Sequence, residues 1–133
     1  MKTVKVAAAI IKNERGQILI CQRGAGGNCA YLWEFPGGKL EAGESLEGCL
    51  MRECLEELEI AIEVEKFLVS TKCSYPDREV EVFFYWAKIV NGALAISVHK
   101  DYKWIDVLEM DRYDFCPADR PVVRMFKNGS LGL

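Results

Sequence analysis

Two periods of apolar residues run along this chain, and it divides into elements where one gives way to the other. Residues 4–11 (VKVAAAII) and 18–23 (ILICQR) are aliphatic and β-branched, with Asn13-Glu14-Arg15-Gly16 between them as a hairpin turn, and they predict two strands. A glycine-rich loop over 24–28 follows, and a short apolar segment over 31–35 runs into the turn Pro36-Gly37-Gly38. From Ser45, a good helix cap, the period becomes helical. Leu46, Leu50, Cys54 and Leu58 recur on one face, with Met51 and Leu55 at its margin, which predicts an amphipathic helix laid on a sheet. Alternation returns weakly over 61–73 and strongly over 79–89, with Pro76-Asp77-Arg78 as the turn between two antiparallel strands. Asn91-Gly92 reads as a further turn, 94–98 and 102–105 as short strands or extended segments, and 120–126 as a second helix opening near Pro121. Strands with two separated helices, and no repeat, linker or low-complexity tract, predict one α/β domain over residues 1–133.

The polar face of the first helix carries the chemistry. Glu53, Glu56 and Glu57 are related by i+3 and i+4 steps and fall within a sector of roughly 100°. Like charges so placed destabilise a helix unless a cation sits over them. A hard divalent ion suits three carboxylates, and Mg²⁺ is usually held by a few of them together with substrate phosphates. An acidic helix face is often only a solvated one. Two features argue for more here: Arg52 and Glu53 adjoin the acidic pair instead of alternating for salt bridges, and glycines that let backbone approach a ligand lie just upstream.

With half of its 133 residues hydrophobic, the chain is long enough to bury a core. Its formal net charge of −3 supplies no basic face for a run of phosphates, so polymeric DNA or RNA is not an expected partner. Cys21, Cys29, Cys49, Cys54, Cys73 and Cys116 contain no C-x-x-C pair and mostly sit in apolar runs, which predicts buried free thiols in a reducing cytoplasm. Zinc is disfavoured, with His99 the one histidine. Met1-Lys2-Thr3-Val4 enters a strand-like segment with no signal-peptide core, and no apolar run reaches membrane-spanning length, so a soluble cytoplasmic protein without a membrane partner is expected. Monomer and homodimer both fit the sequence.

Gly38, Glu44, Arg52, Glu53, Glu56 and Glu57 stand at the spacing of the Nudix box, G-x5-E-x7-R-E-U-x-E-E-x-G-U, and the chain resembles the Nudix hydrolases. The flanking segments Trp33-Glu34-Phe35-Pro36-Gly37-Gly38-Lys39, Tyr75-Pro76-Asp77-Arg78 and Pro117-Ala118-Asp119-Arg120-Pro121 are most similar to the MutT-like and CTP-pyrophosphohydrolase-like branch. The resemblance implies an α/β/α sandwich with a mixed, curved sheet between helices. It implies a nucleoside triphosphate as small-molecule partner, split to monophosphate and pyrophosphate by metal-activated water attacking the β-phosphorus. It would place Mg²⁺, with Mn²⁺ possible, on the Gly37 carbonyl, Glu53, Glu56 and Glu57, with Glu53 also the general base and Arg52 orienting the carboxylates. Glu44 would be either an outer ligand or a tie between loop and helix. Gly38 would give the substrate close backbone approach, Arg23 and Lys39 would meet phosphates, and Phe35, Tyr75, Arg78 and Asp119 would surround the base.

Three departures from the family pattern stand out. Glu59 occupies the box glycine, where a left-handed cap must be strained or replaced. Val98 lies where many relatives carry a glutamate, with Asp101 or His99 as substitutes, although a solitary loop histidine reads first as a surface residue. Asp119 stands where relatives acting on 8-oxo-guanine commonly have Asn, and an ionised Asp can only accept, which leaves cytosine and oxidised guanine both open. The expected activity is thus pyrophosphohydrolysis of an 8-oxo-dGTP-like or CTP-like nucleotide, with a nucleotide-binding Nudix module of little turnover as the alternative.

Overall fold

A computed structural model describes residues 2–131 of the chain. Its elements run in the order β1 (Lys2–Ile11), β2 (Ile18–Gln22), β3 (Trp33–Glu34), β4 (Gly37–Lys39), α1 (Leu46–Leu58), β5 (Ile60–Tyr75), β6 (Arg78–Gly92), β7 (Asp101–Ile105) and α2 (Arg120–Lys127), with 3-10 turns over Val107–Arg112 and Pro117–Asp119.

The unbroken aliphatic run in β1 has a structural cause, because this strand is buried on both faces. Ala8 and Ile10 point into one core with Phe84, Val122 and Phe126, while Ala7, Ala9 and Ile11 point into the other with Leu50, Cys54 and Leu58. β2 divides its residues the same way, Ile18 and Ile20 to the first core and Leu19 and Cys21 to the second. The two cores place α2 on one side of the strands and α1 on the other, which makes the α/β/α sandwich. Each fully buried Leu or Ile here contributes roughly 1.5–3 kcal/mol over an exposed one.

β1 pairs in parallel with β6 and antiparallel with β4, and β5 pairs antiparallel with β6, giving a mixed sheet in the order β4-β1-β6-β5. Register shifts in the long β5–β6 ribbon, between Ala61 and Ile62 and across Val64 to Val69, bend it. A second, antiparallel sheet has the order β3-β2-β7.

Two sequence expectations give way. Asn91-Gly92 is no turn: both residues extend β6 and face Ala61 and Ile60, because β5 starts directly after α1 and offers a partner that far. Residues 94–98 form no strand, since β1 and β5 already occupy both edges of β6. Their polar groups turn to other elements, with Ala95 N–H donating to Leu58 O at 3.1 Å and Ser97 Oγ to Glu57 O at 3.4 Å. Glu59 itself takes the left-handed cap, with φ 57° and ψ 32°, and its amide reaches the Cys54 and Leu55 carbonyls.

Candidate active site

The glycine turn is pressed onto β1. Ala9 N–H donates to Pro36 O at 2.8 Å, and Gly37 and Gly38 lie opposite Ala8 and Ala7. A Cβ on Gly37 would overlap the Ala7 carbonyl, and one on Gly38 would overlap the Glu53 carboxyl, so only glycine lets strand, turn and helix meet here. α1 is fixed over the turn at its N-terminus, where Ser45 Oγ accepts from Gly48 N–H at 3.0 Å, and by Cys49 Sγ, 3.5 Å from Gly38 O and 3.4 Å from Lys39 O.

Arg52 organises the acidic face. Its Nε and Nη2 donate to the two carboxylate oxygens of Glu44 at 2.6 and 3.0 Å, and its Nη1 donates to Glu53 at 2.8 Å and Glu56 at 3.3 Å. Nη2 also reaches Lys39 O at 3.2 Å. Glu44 in turn accepts from Glu41 N–H at 2.9 Å, so of its two expected roles the geometry gives it the tie between loop and helix. These charge-assisted bonds hold the Glu44 carboxyl at a pKa of about 2, the Arg52 bond being the largest cause.

Glu57 behaves in the opposite way. Burial, then the charge of Glu53 and a hydrogen bond with it, push its pKa up to about 7. A cation placed beside the Glu57 carboxyl would oppose these causes and favour its ionised form. Hard oxygen donors of this kind, with the Gly37 backbone beside them, fit Mg²⁺ or Mn²⁺. Glu56 is not gathered with them: its side chain is 59% exposed and directed to Arg52. Among the described residues no set of three or more His, Cys, Asp or Glu side chains converges closely enough to hold an ion.

From this edge a cavity of about 520 Å³ extends between the sheet and the 115–119 segment. Arg23, Phe35, Gly37, Gly38, Lys39, Glu57, Tyr75, Arg78 and Asp119 all line it, so residues far apart in the chain meet in one cavity. The floor is held by a strap: Cys116 N–H donates to Trp33 O at 2.9 Å, Thr71 Oγ1 to Ala118 O at 2.8 Å and Arg120 Nε to Phe115 O at 3.1 Å. Asp119, 5% exposed, projects from that strap. Burial, and next the charge of Glu34, raise its pKa well above the usual carboxylate range, against the opposing Phe35 amide and Arg23. Burial thus works against the acceptor-only carboxylate expected from the sequence, and in its protonated form this carboxyl donates as well as accepts.

Phe35 is a core aromatic as well as a lining residue, its ring 5.4 Å from Phe115, 6.1 Å from Phe84 and 6.4 Å from Phe126. Tyr75 meets Cys29 Sγ at 3.5 Å, and Arg78 Nε is buried without a partner among the described residues.

Among the lining residues not assigned from the sequence, Glu34 and His99 are linked to Arg23. Glu34 accepts from Arg23 Nη1 at 3.1 Å and stands 3.0 Å from His99 Nε2. His99 is no surface residue: its side chain is 4% exposed, because the 93–100 segment folds over the end of α1 and delivers it inward. A carboxylate set between the buried Trp33 and Phe35 was a readable signal for Glu34. The sequence offered His99 only as a substitute for the glutamate that Val98 replaces, and no pattern in it pointed to the burial of that side chain.

The chain matches the NUDIX domain over residues 1–126. It is 32% identical to the 8-oxo-dGTP diphosphatase of Escherichia coli (strain K12), covering 96% of this chain and 98% of that protein. It is 36% identical to the CTP pyrophosphohydrolase of the same organism, covering 95% and 93%. The solution structure of the E. coli ORF135 protein superposes with a TM-score of 0.82 at 34% identity, over 98% of this chain and 92% of that one. A MutT protein from Methanosarcina mazei Go1 shares the fold at a TM-score of 0.86 and 22% identity, over 97% and 96%. The chain belongs to the Nudix family and is a hydrolase of phosphorus-containing anhydrides. Among the described residues no helix is long and apolar enough to cross a membrane.

Proposed function

We propose that this protein is a metal-dependent nucleoside triphosphate pyrophosphohydrolase that clears oxidised or otherwise modified nucleotides, releasing monophosphate and pyrophosphate. The observation that carries this reading is a single cavity lined both by Glu57, whose carboxyl is hydrogen-bonded to Glu53 of the same helix, and by the buried Asp119. Gly37, through its carbonyl, with Glu53 and Glu57, would hold Mg²⁺ or Mn²⁺, and Glu56 would have to turn from Arg52 to join them. Such an ion supplies Lewis acidity and lowers the pKa of water bound in the site.

Glu53 takes the proton of the attacking water, and Arg52 keeps that carboxylate oriented. The water oxygen bonds to the β-phosphorus, the bond from that phosphorus to the bridging oxygen of the α-phosphate breaks, and the monophosphate leaves. Arg23 and Lys39 meet the phosphates, and the bare Gly38 admits them close to the backbone. Asp119, Phe35, Tyr75 and Arg78 surround the base.

A protonated Asp119 offers one donor and one acceptor. That pair matches the O6 and N7–H of 8-oxo-guanine, whereas unmodified guanine shows two acceptors on the same edge. Cytosine, with its N4 amine and N3, satisfies the pair as well, and the 36% identical CTP pyrophosphohydrolase supports that second reading. Six free thiols favour a cytoplasmic setting.

The test is hydrolysis with Mg²⁺ of 8-oxo-dGTP, dGTP, CTP, dCTP and 5-methyl-dCTP, with pyrophosphate and phosphate assayed separately. Highest kcat/KM for 8-oxo-dGTP with pyrophosphate release is the expected result, a cytosine preference selects the second reading, and turnover of none removes the proposal.

A further inference from the structure

We propose that His99 is a positioning residue: through Glu34 it holds the Arg23 guanidinium over the cavity, so that the 93–100 segment sets where the substrate's phosphates meet that cation. The inference rests on the reading of Arg23 as a phosphate contact.

The chain of contacts is continuous. His99 Nε2 lies 3.0 Å from Glu34 Oε2, and Glu34 Oε1 accepts from Arg23 Nη1 at 3.1 Å. A carboxylate oxygen accepts, so Nε2 carries the hydrogen of this bond. Nδ1 is buried and has no partner among the described residues. A buried polar atom without a partner is unfavourable, and it persists where the other nitrogen makes a bond that offsets it. The Nε2–Glu34 contact is that bond.

The histidine is itself held on both sides. Lys100 N–H donates to Gln22 O at 2.9 Å, and Ala95 N–H and Ser97 Oγ bind the carbonyls of Leu58 and Glu57 at the end of α1. The segment that carries His99 is thereby registered against the helix that carries Glu53 and Glu57. Arg23, by contrast, is 43% exposed in its side chain and reaches only Glu34 within salt-bridge distance among the described residues. Without Glu34 in place, its guanidinium would sample many rotamers and lose the fork geometry that suits phosphate.

The experiment measures kcat and KM for H99A, H99Q, H99N, R23A and the double variant H99A/R23A, with 8-oxo-dGTP and CTP as probes and a thermal melt of each. H99A is expected to lower kcat/KM about tenfold, mostly through KM, the size of one charge-assisted hydrogen bond. H99Q, whose amide reaches the Nε2 position, recovers most of that loss, and the shorter H99N does not. In the R23A background H99A adds nothing, since the two act through one contact. Losses that multiply in the double variant, or H99Q as poor as H99A, overturn the inference while leaving Arg23 in place. An R23A enzyme with wild-type kinetics removes the phosphate role of Arg23 and the inference with it. Should H99A fail to fold, the H99Q and H99N pair, which differ only in reach, decides the matter alone.

Discussion

At the α1 end of the cavity the carboxyls are gathered around a guanidinium, and at the α2 end a single carboxyl is enclosed in apolar packing. Glu44, with a bidentate Arg52, is held at a pKa of about 2, whereas Asp119, buried beside Glu34, is driven upward. Glu57 lies between the two regimes, near Arg52 in sequence but paired with another carboxyl. The same functional group is therefore pushed towards its anion at Glu44 and towards its protonated form at Glu57 and Asp119. Partner and burial set the state; residue type does not.

The largest effect that could break this contrast is at the acidic end. E53Q removes the group assigned as base and should lower kcat by about 10²–10⁴-fold with little change in melting temperature, measured as pyrophosphate release. Wild-type turnover would move the base elsewhere. At the enclosed end, D119A should lower kcat/KM by about 10–100-fold, the range of one paired base edge. D119N, which donates and accepts as a protonated carboxyl does, should stay near wild type, and a D119N enzyme as poor as D119A would mean that the ionised form is the working one.

A smaller effect separates the regimes by pH. The Glu57 pKa is raised from 4.5 to about 7, so folded metal-free protein binds this proton more tightly than unfolded chain does. The stability this supplies is fully present below the unfolded value and is lost as pH rises through about 7. Melts in chelator should therefore fall by a few degrees between about pH 6 and about pH 8, the slope should vanish in E57Q, and Mg²⁺ should restore the higher value mainly at the upper pH. A wild-type slope unchanged in E57Q would assign the titration to another group. The smallest effect lies outside both ends. E59G places glycine in the left-handed cap and should stabilise by about 0.5–1 kcal/mol with kcat unchanged, read from chemical denaturation.

The acidic end was legible in the sequence because its parts are local. Gly37, Gly38, Glu44, Arg52, Glu53 and Glu57 lie on one turn and the helix beside it, where helical period and residue spacing specify neighbours. The enclosed end draws on β3, the β5–β6 turn and the strap before α2, and the sequence named its residues only through resemblance. Their state was out of reach, since the pKa of Asp119 follows from packing that no local pattern encodes. His99 was misread for the same reason: a loop residue's burial is set by what the loop folds over. Asn91-Gly92, a strong turn signal, was overridden by the reach of β5 along β6.

The close seat of Gly37 and Gly38 on Ala7 and Ala8 also constrains how this protein can be diversified. Mutant libraries directed at Gly37 and Gly38 should yield mostly inactive clones, because an added Cβ meets the Ala7 backbone or the Glu53 carboxyl. Gly24 offers the opposite prospect, since an added Cβ there would meet only the Val98 carbonyl, at 3.8 Å, while still lining the cavity. New substrate ranges are thus to be sought by randomising the loop that begins at Gly24, with the sheet left untouched as an unchanging chassis.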